Sequence, residues 1–405
     1  MIKSRVVLLV RALAKFAQST LTWLDLVFGL TLGLPIWLWS LHRPVQVQAI
    51  WTARIGHLAC EPALFLARRA ETGMPNVKVW FFAEGAVCNA LLLEKWRESL
   101  PMGPGWLLGP IYRASRRWCW LGLHPLDWPS DAHNDLRPLD GRDLPWGFDD
   151  DECARGVSLL LELGVPAGRP YVCLAVRDSA YLAATDRSRN WDHHNYRDSQ
   201  IADYELMAAR LVERGYSVIR MGRIVDREFK VGISAVIDYA NSSMRSDFAD
   251  LWLFANCAFC ISTATGMDAL ATMQGRPLGL VNIGTSASLF IGEVSKLVMF
   301  KDLVDVSNGE VLELHDKRRH SAMAFSHVPE LAEMGLTFRD NSPGELEAFA
   351  DEMIDLLEAR WCPTAEHAAH EEKFKSRMLG PLGLDLTLGQ FHISPAWMRS
   401  RLRVG

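Results

Sequence analysis

Across residues 238–283 the hydrophobic pattern keeps switching between period two and period 3.6. It reads strand, turn, helix, strand, hydroxyl-rich turn, helix, Gly-Arg-Pro, strand. Few folds accept that alternation. Strands separated by helices of this length need crossover connections, which run right-handed and build a doubly wound parallel sheet. At the centre, Phe259-Cys260-Ile261-Ser262 leads into Thr263-Ala264-Thr265-Gly266, and a helical pattern over 267–274 follows at once. A strand that ends in hydroxyls and a glycine and then opens a helix predicts an anion site, because the free N–H groups and the positive dipole end both favour phosphate. Ser262, Thr263, Thr265 and Gly266 therefore point to a nucleotide or nucleotide-sugar ligand; the simpler use of such residues is helix capping.

The alternation continues on both sides. Residues 150–163, 201–214, 248–256 and 343–360 read as helices, the last opened by Ser342-Pro343-Gly344-Glu345, a capping box with proline at its first helical position. Residues 171–176, 217–221, 259–262 and 278–282 read as strands, the first apolar on both faces as in a parallel sheet. A separate β-α-β pattern precedes them, with a strand over 45–53, a turn at Arg54-Ile55-Gly56-His57, a helix over 58–70 and a strand over 77–82. Residues 106–148, rich in Pro, Gly and Trp, read as loops and short elements at an inter-domain seam. With 405 residues, two domains are the natural division. The expected fold class is α/β, with two facing Rossmann-like domains over 45–149 and 150–361 and a helical tail over 362–405 packing back on the first. In such sheets ligands bind just beyond the carboxyl ends of the strands.

Residues 1–44 differ from all this. Lys3, Arg5, Arg11 and Lys15 sit among apolar residues, no acid precedes Asp25, and 26–41 is almost wholly apolar. No small-residue cleavage site follows, so a signal peptide fits poorly. A span of about 20 apolar residues is reached only by including Asp25 and Pro35. The expectation is a membrane-associating segment, interfacial or re-entrant, whose basic flank lies on anionic lipid; a core helix of the first domain is the alternative. A net charge of −5 makes the protein no electrostatic match for nucleic acid. Of eight cysteines only Cys257 and Cys260 lie close together, in an apolar stretch with no second pair. They read as buried thiols rather than half a zinc site, and no metal or cofactor is expected.

Several loops carry chemistry. After the 171–176 strand come Arg177, Asp178 and then His194, Arg197 and Asp198. Arginine can grip a diphosphate bidentately, and an aspartate at a strand end can act as base or bind sugar hydroxyls. The bland reading, a solvated loop with local ion pairs, fits its length and histidine content less well. Arg220 and Gly222 end the next strand; a packing turn with surface arginines is an equal alternative. Ser246 and Asp247 open the 248–256 helix, where a plain N-cap is the commoner role. In the first domain His57 and Glu61 stand four apart, on one face if the helix has already begun. Either could take a proton from a hydroxyl; as cap and exposed helix residue they would do nothing chemical. The dinucleotide fingerprint, the Walker loop, the nucleophile elbow and the His-Glu-x-x-His metal helix are absent from the sequence.

Arg54-Ile55-Gly56-His57-Leu58 with Glu61-Pro62, His194-Asn195-Tyr196-Arg197-Asp198-Ser199, and Gly215-Tyr216-Ser217-Val218-Ile219-Arg220-Met221-Gly222 together resemble a family of bacterial glycosyltransferases linked to surface-polysaccharide and glycoconjugate assembly. Asp238-Tyr239-Ala240, Ser246-Asp247-Phe248 and Ser262-Thr263-Ala264-Thr265-Gly266 complete the likeness, which runs from about 44 to 361. Such families more often show Ser-Gly where this chain has Thr263-Ala264-Thr265-Gly266. The resemblance implies a two-domain GT-B enzyme acting without a bound metal at the cytoplasmic face of the inner membrane. The second domain would take the nucleotide-sugar, and the first a glycan, lipid-linked or protein acceptor. Arg177, Arg197 and Arg220 would offset the diphosphate, with Ser262, Thr263, Thr265 and Gly266 donating to it. His57 or Glu61 would be the base, with Asp178 next in line. The rival readings are a sugar-nucleotide epimerase and a non-catalytic scaffold. A homo-oligomer has no signature in the sequence.

Overall fold

In the computed structural model the described residues are 23, 27, 31, 45–72, 78–117, 135–178, 180, 196–289, 292–324, 328–379 and 391–402. The apolar segment over 26–41 and His194 lie outside them, except for Val27 and Thr31. Among the described residues no helix is long and apolar enough to cross a membrane. The chain divides into two compact units, Met1–Ser130 and Asp131–Gly405. The division thus falls before the expected 149/150 boundary.

In the first unit β1 (Val45–Trp51) pairs in parallel with β2 (Lys78–Glu84), and α1 (Ile55–Thr72) makes the crossover. α2 (Ala90–Ser99) and α3 (Gly105–Arg117) follow. Alternate residues Val45, Val47 and Ala49 of β1 join Phe82, Leu108, Ile111 and Tyr112 in one apolar cluster, so α3 covers the pair on that face. α3 lies inside the stretch expected to be loops. Pro110 within it, with Gly105 and Gly109, hides the helix from a sequence reading, while burial of Leu108 and Ile111 supplies what propensity lacks. Among the described residues this unit holds two strands, fewer than a full Rossmann-like sheet.

The second unit opens with α4 (Asp150–Glu162), where Asp149 and Glu152 form a reciprocal capping box. Then come β3 (Tyr171–Ala175), α5 (Glu205–Glu213), β4 (Ser217–Arg220), β5 (Val236–Ile237), α6 (Asp247–Asn256), β6 (Phe259–Ser262), α7 (Ala269–Met273), β7 (Leu278–Ile283), β8 (Ser295–Phe300) and β9 (Asp302–Asp305). α8 (Lys317–Ala324), α9 (Val328–Glu333), β10 (Leu336–Arg339), α10 (Pro343–Leu357), α11 (Ala365–Leu379), β11 (His392–Ile393) and α12 (Pro395–Arg401) complete it. Seven strands form one sheet in the order β11-β8-β7-β6-β3-β4-β5, and every pairing is parallel. β9 and β10 make a small antiparallel pair.

Strand order reverses at β3. The chain first steps outward to β4 and β5, then returns to β6 on the other side of β3. Right-handed crossovers therefore send α5 and α6 to opposite faces. α10 packs against α5, locked to it by Arg210 and Arg214 on Asp351 and Asp355. α6 is buried all round from Phe248 to Ala255, as suits a helix held between the sheet and α4. The tail expected to return to the first domain instead serves the second: β11 extends its sheet beside β8, and Arg401 pairs with the buried Asp302 at 2.7 Å. Apolar residues on β11 and α12, Ile393, Trp397 and Met398, give the physical reason, since each is buried there.

Candidate functional site

Reversal of strand order opens a crevice outside the carboxyl ends of β3 and β6, where open α/β sheets take their ligands. The two loops at this point are tied together: Arg177 N–H donates to Thr263 Oγ1 at 2.9 Å. Arg177 then reaches Asp198, Nε to Oδ1 3.2 Å, and the Arg197 guanidinium donates to the Ala264 carbonyl. Ala264 sits at φ 56°, a left-handed conformation that costs a non-glycine residue about 1 kcal/mol or more. It is held there because its carbonyl feeds Arg197. Burial first, and then the positive charge of Arg177, hold Arg197 below the ordinary arginine value. Two cations thus stand side by side in a partly dry crevice, and the buried Arg197 Nε has no hydrogen-bond partner among the described residues. Burial also raises the Asp198 carboxyl, against the pull of Arg177.

The hydroxyl-rich turn is arranged differently from the expectation. Residues 263–268 form turns, and the helix that follows, α7, is only five residues long. Ser262 donates to Asp268 at 2.6 Å and accepts from Thr265 N–H at 3.3 Å; Thr265 Oγ1 accepts from Met267 N–H at 3.2 Å. Ser262 thus uses its proton within the turn, whereas Thr263 and Thr265 accept from backbone N–H groups and keep their own O–H to donate. Gly266 is exposed at its tip. The charge at the site comes from the arginines rather than from a helix end.

Other expected residues separate in the same way. Arg220 is only 1% exposed; it pairs with Asp238 at 3.2 Å, donates to the Arg227 carbonyl at 2.5 Å, and approaches Asp178 at 3.9 Å. It therefore organises the β4 loop from within and presents no face to a diphosphate. Asp178 accepts from Ala180 N–H at 3.0 Å and Asp226 N–H at 2.9 Å, one through each oxygen, so as a base it is already engaged. A side chain at Gly222 would meet Val225 at 2.6 Å and Ala240 at 3.1 Å, so its glycine answers packing, not ligand approach. Ser246 is the N-cap of α6, accepting from Ala249 N–H at 3.1 Å, and Asp247 begins that helix. Cys257 and Cys260 are buried free thiols, and among the described residues no group of acids, histidines or cysteines could hold a metal ion.

The sequence reading missed Asp268, Lys301, Asn282 and Asn341. Lys301, nearly buried after β8, donates to the Asp198 carbonyl at 2.9 Å and to Asp340 at 2.6 Å. Asn282 and Asn341 exchange backbone-to-side-chain bonds of 2.8 and 2.7 Å, fastening the end of β7 to the start of α10. Lys301 and Asn282 are polar residues near the ends of apolar runs, and Asn341 sits among Arg339, Asp340 and Ser342, signals that a motif search passes over. Asp268 is fully buried, and its Oδ1 has no partner. Burial lifts its carboxyl to about 7, against the Ser262 hydroxyl and the charge of Arg197. An unfolded aspartate titrates near 4, at about 3.9. Folding thus tightens its hold on the proton, so its stabilising contribution is complete below about pH 4 and is lost as pH rises to about 7. Asp268→Asn keeps an acceptor for Ser262 but cannot ionise. We expect it to melt with the parent chain near pH 4 and above it at about pH 8; parallel melting curves over that range would place the titration elsewhere.

In the first unit, α1 has begun by His57, so His57 and Glu61 do share a face: Nδ1 and Oε1 are 2.7 Å apart. With Nδ1–H donating to the carboxylate, Nε2 carries the lone pair. The His57 ring also lies 4.7 Å from that of Trp51.

No family model matches the chain, and no curated protein matches it. Among solved structures it is similar to the ADP-heptose LPS heptosyltransferase II of E. coli, with 13% identity, a TM-score of 0.43, and coverage of 78% of this chain and 100% of that one. A glycosyl transferase of family 9 from Veillonella parvula DSM 2008 gives 10% identity and a TM-score of 0.47 over 78% and 98% of the two chains. The E. coli heptosyltransferase WaaC with ADP gives 15% identity and a TM-score of 0.29 over 63% and 92%.

Proposed function

We propose that the protein is a glycosyltransferase that moves a sugar from a nucleotide-diphosphate donor to an acceptor hydroxyl. One observation carries this reading: Arg177 and Arg197 are packed together at the point where strand order reverses, each opposed by the other's charge. Asp198 and Asp268 offset part of that charge, and a diphosphate suits the guanidinium forks beside them. In transfer, the bond from the anomeric carbon to the diphosphate breaks as the acceptor oxygen attacks. Arg177 and Arg197 take up the charge that develops on the leaving group. Within the first unit, His57 Nε2 is the candidate to take a proton from a hydroxyl, with Glu61 stabilising the imidazolium through Nδ1–H. Guanidinium charge does here what a metal ion would otherwise do. Residues 1–44 would hold the enzyme on the cytoplasmic face of the bacterial membrane, with a glycan or lipid-linked acceptor.

Calorimetry with UDP, GDP, ADP, CMP and TDP, each with and without EDTA, tests the donor site. One diphosphate should bind and keep its affinity in EDTA, and no binding by any of them would remove the reading. His57→Ala and Glu61→Gln should each slow transfer by about 10²- to 10³-fold without loss of diphosphate binding. If neither slows it, the base lies elsewhere. Flotation of the whole chain with anionic vesicles reports on the membrane part.

A further inference from the structure

Trp51 is the last residue of β1, yet 42% of its surface is exposed. In a βαβ unit the end of the first strand is where a ligand meets the protein, and there the chain has placed its largest apolar side chain facing solvent. Arg54 lies over the indole at 5.0 Å from its centroid, and His57 stands beside it. Opposite Trp51 in the parallel register is Glu84, also exposed. The next residue, Gly85, has φ +91°, and a side chain there would touch Ala53 at 3.4 Å and the Trp51 ring at 3.9 Å. The positive φ is what favours glycine at this turn, since those contacts are at ordinary van der Waals distance.

That loop is fixed. Buried Thr52 is 3.0 Å from the Glu84 carbonyl and 3.2 Å from the Gly85 carbonyl, its carbonyl takes Cys88 N–H at 3.0 Å, and Asn89 caps α2 through Leu92 N–H at 2.8 Å. Val87 remains 43% exposed on it. What results is an exposed aromatic plane with the Arg54 guanidinium over one face, the His57 imidazole beside it and Glu84 opposite it in register, while Glu61 is held by His57 Nδ1.

We propose that this surface is a subsite for an uncharged pyranose ring of the acceptor, stacked on Trp51 with a hydroxyl directed to His57. The proposal rests on the glycosyltransferase reading and narrows its acceptor to a saccharide. A pyranose offers one face of C–H groups, slightly positive, to the negative face of an indole. Its hydroxyls can donate to Glu84 and accept from Arg54. Glu84 offsets Arg54, so the surface offers no excess of positive charge to an acidic sugar or an anionic lipid headgroup.

Saturation-transfer NMR on the whole chain is the test, with methyl β-D-glucoside, galactoside and mannoside as probes, methyl β-D-glucuronide as the acidic comparison, and anionic vesicles as the lipid arm. Ring protons of at least one neutral glycoside should receive saturation. Trp51→Ala should weaken that contact about tenfold, and Trp51→Phe should largely restore it. Diphosphate binding, measured on the same Trp51→Ala protein, should be unchanged. Saturation that is indifferent to Trp51→Ala, a glucuronide held as well as the glucoside, or vesicle binding alone lost on Trp51→Ala would each overturn the subsite. Failure of diphosphate binding in the parent chain counts against the donor reading instead, so the two can fail separately.

Discussion

Replacing Arg197 by glutamine slows sugar transfer by about 10²- to 10³-fold, the cost of removing one donor aimed at developing charge, and scarcely moves the melting temperature. The two halves of that result have different causes. Transfer suffers because the leaving diphosphate loses a bidentate partner in a place shielded from water. Stability holds because two terms oppose each other. The variant gives up the bond to the Ala264 carbonyl, but it also ends the burial of a guanidinium and its repulsion by Arg177. A bond to a charged group contributes about 1.5–3 kcal/mol, and a desolvated, repelled charge costs a comparable amount. Arg177→Gln should lose transfer to the same degree, and the double variant should lose little more than either single one, as for groups that act as a unit. Diphosphate affinity from calorimetry should fall in step with rate. Unaltered affinity in both single variants would move the donor site away from this crevice. A collapse in melting temperature would make these arginines structural.

Gly156→Ala should lower stability by about 2 kcal/mol or more, whereas Gly344→Ala should raise it by up to about 1 kcal/mol. The substitution is the same and both sites are helical, so intrinsic propensity predicts a gain twice over. At Gly344, in the first turn of α10, a methyl group meets nothing within 4 Å, and the gain stands. At Gly156 it would lie 1.9 Å from the Trp252 ring, which is buried between α4 and α6. Ring or helix must shift, and overpacking of that kind outweighs the helix preference. In a unit of this size the two changes correspond to a fall of roughly 5 °C and a rise of roughly 2 °C. Thermal melts of both variants decide it, and a stabilised Gly156→Ala would mean that α4 does not seat on Trp252.

The second unit was legible because its strands are short, apolar on both faces and punctuated. Tyr171–Ala175 and Phe259–Ser262 fall within two residues of the patterns that foretold them, and the Ser342 capping box starts α10 as its spelling requires. α3 was not legible, because Pro110 breaks the helical code and tertiary burial restores what it removes. Nor was the tail, whose destination depends on an edge of β8 far away in sequence. At the candidate site, the expected loops meet at the ends of β3 and β6, tied by the Arg177 bond to Thr263. Ser262 looked like a phosphate donor and gives its proton to Asp268, because a hydroxyl run gives no sign of whether its partners are internal. Arg220 was expected to meet a diphosphate, and only the depth of its strand end reveals that it is enclosed. Asp268 drew no notice, since a single acid in an apolar stretch has no pattern to match.

The position of β11 also sets an order of events during synthesis. Everything else in the second unit's sheet is made before residues 391–402 exist, so β8 must wait with an unpaired edge, and Asp302 without Arg401. On a ribosome adding about 5–20 residues per second, the nascent unit is incomplete until that segment clears the exit tunnel. The first unit depends on no such late arrival for its β1–β2 pair and can close while the rest is still being translated. A ribosome stalled before that segment would thus display one finished body and one sheet with a bare margin, the kind of edge that chaperones and proteases both recognise.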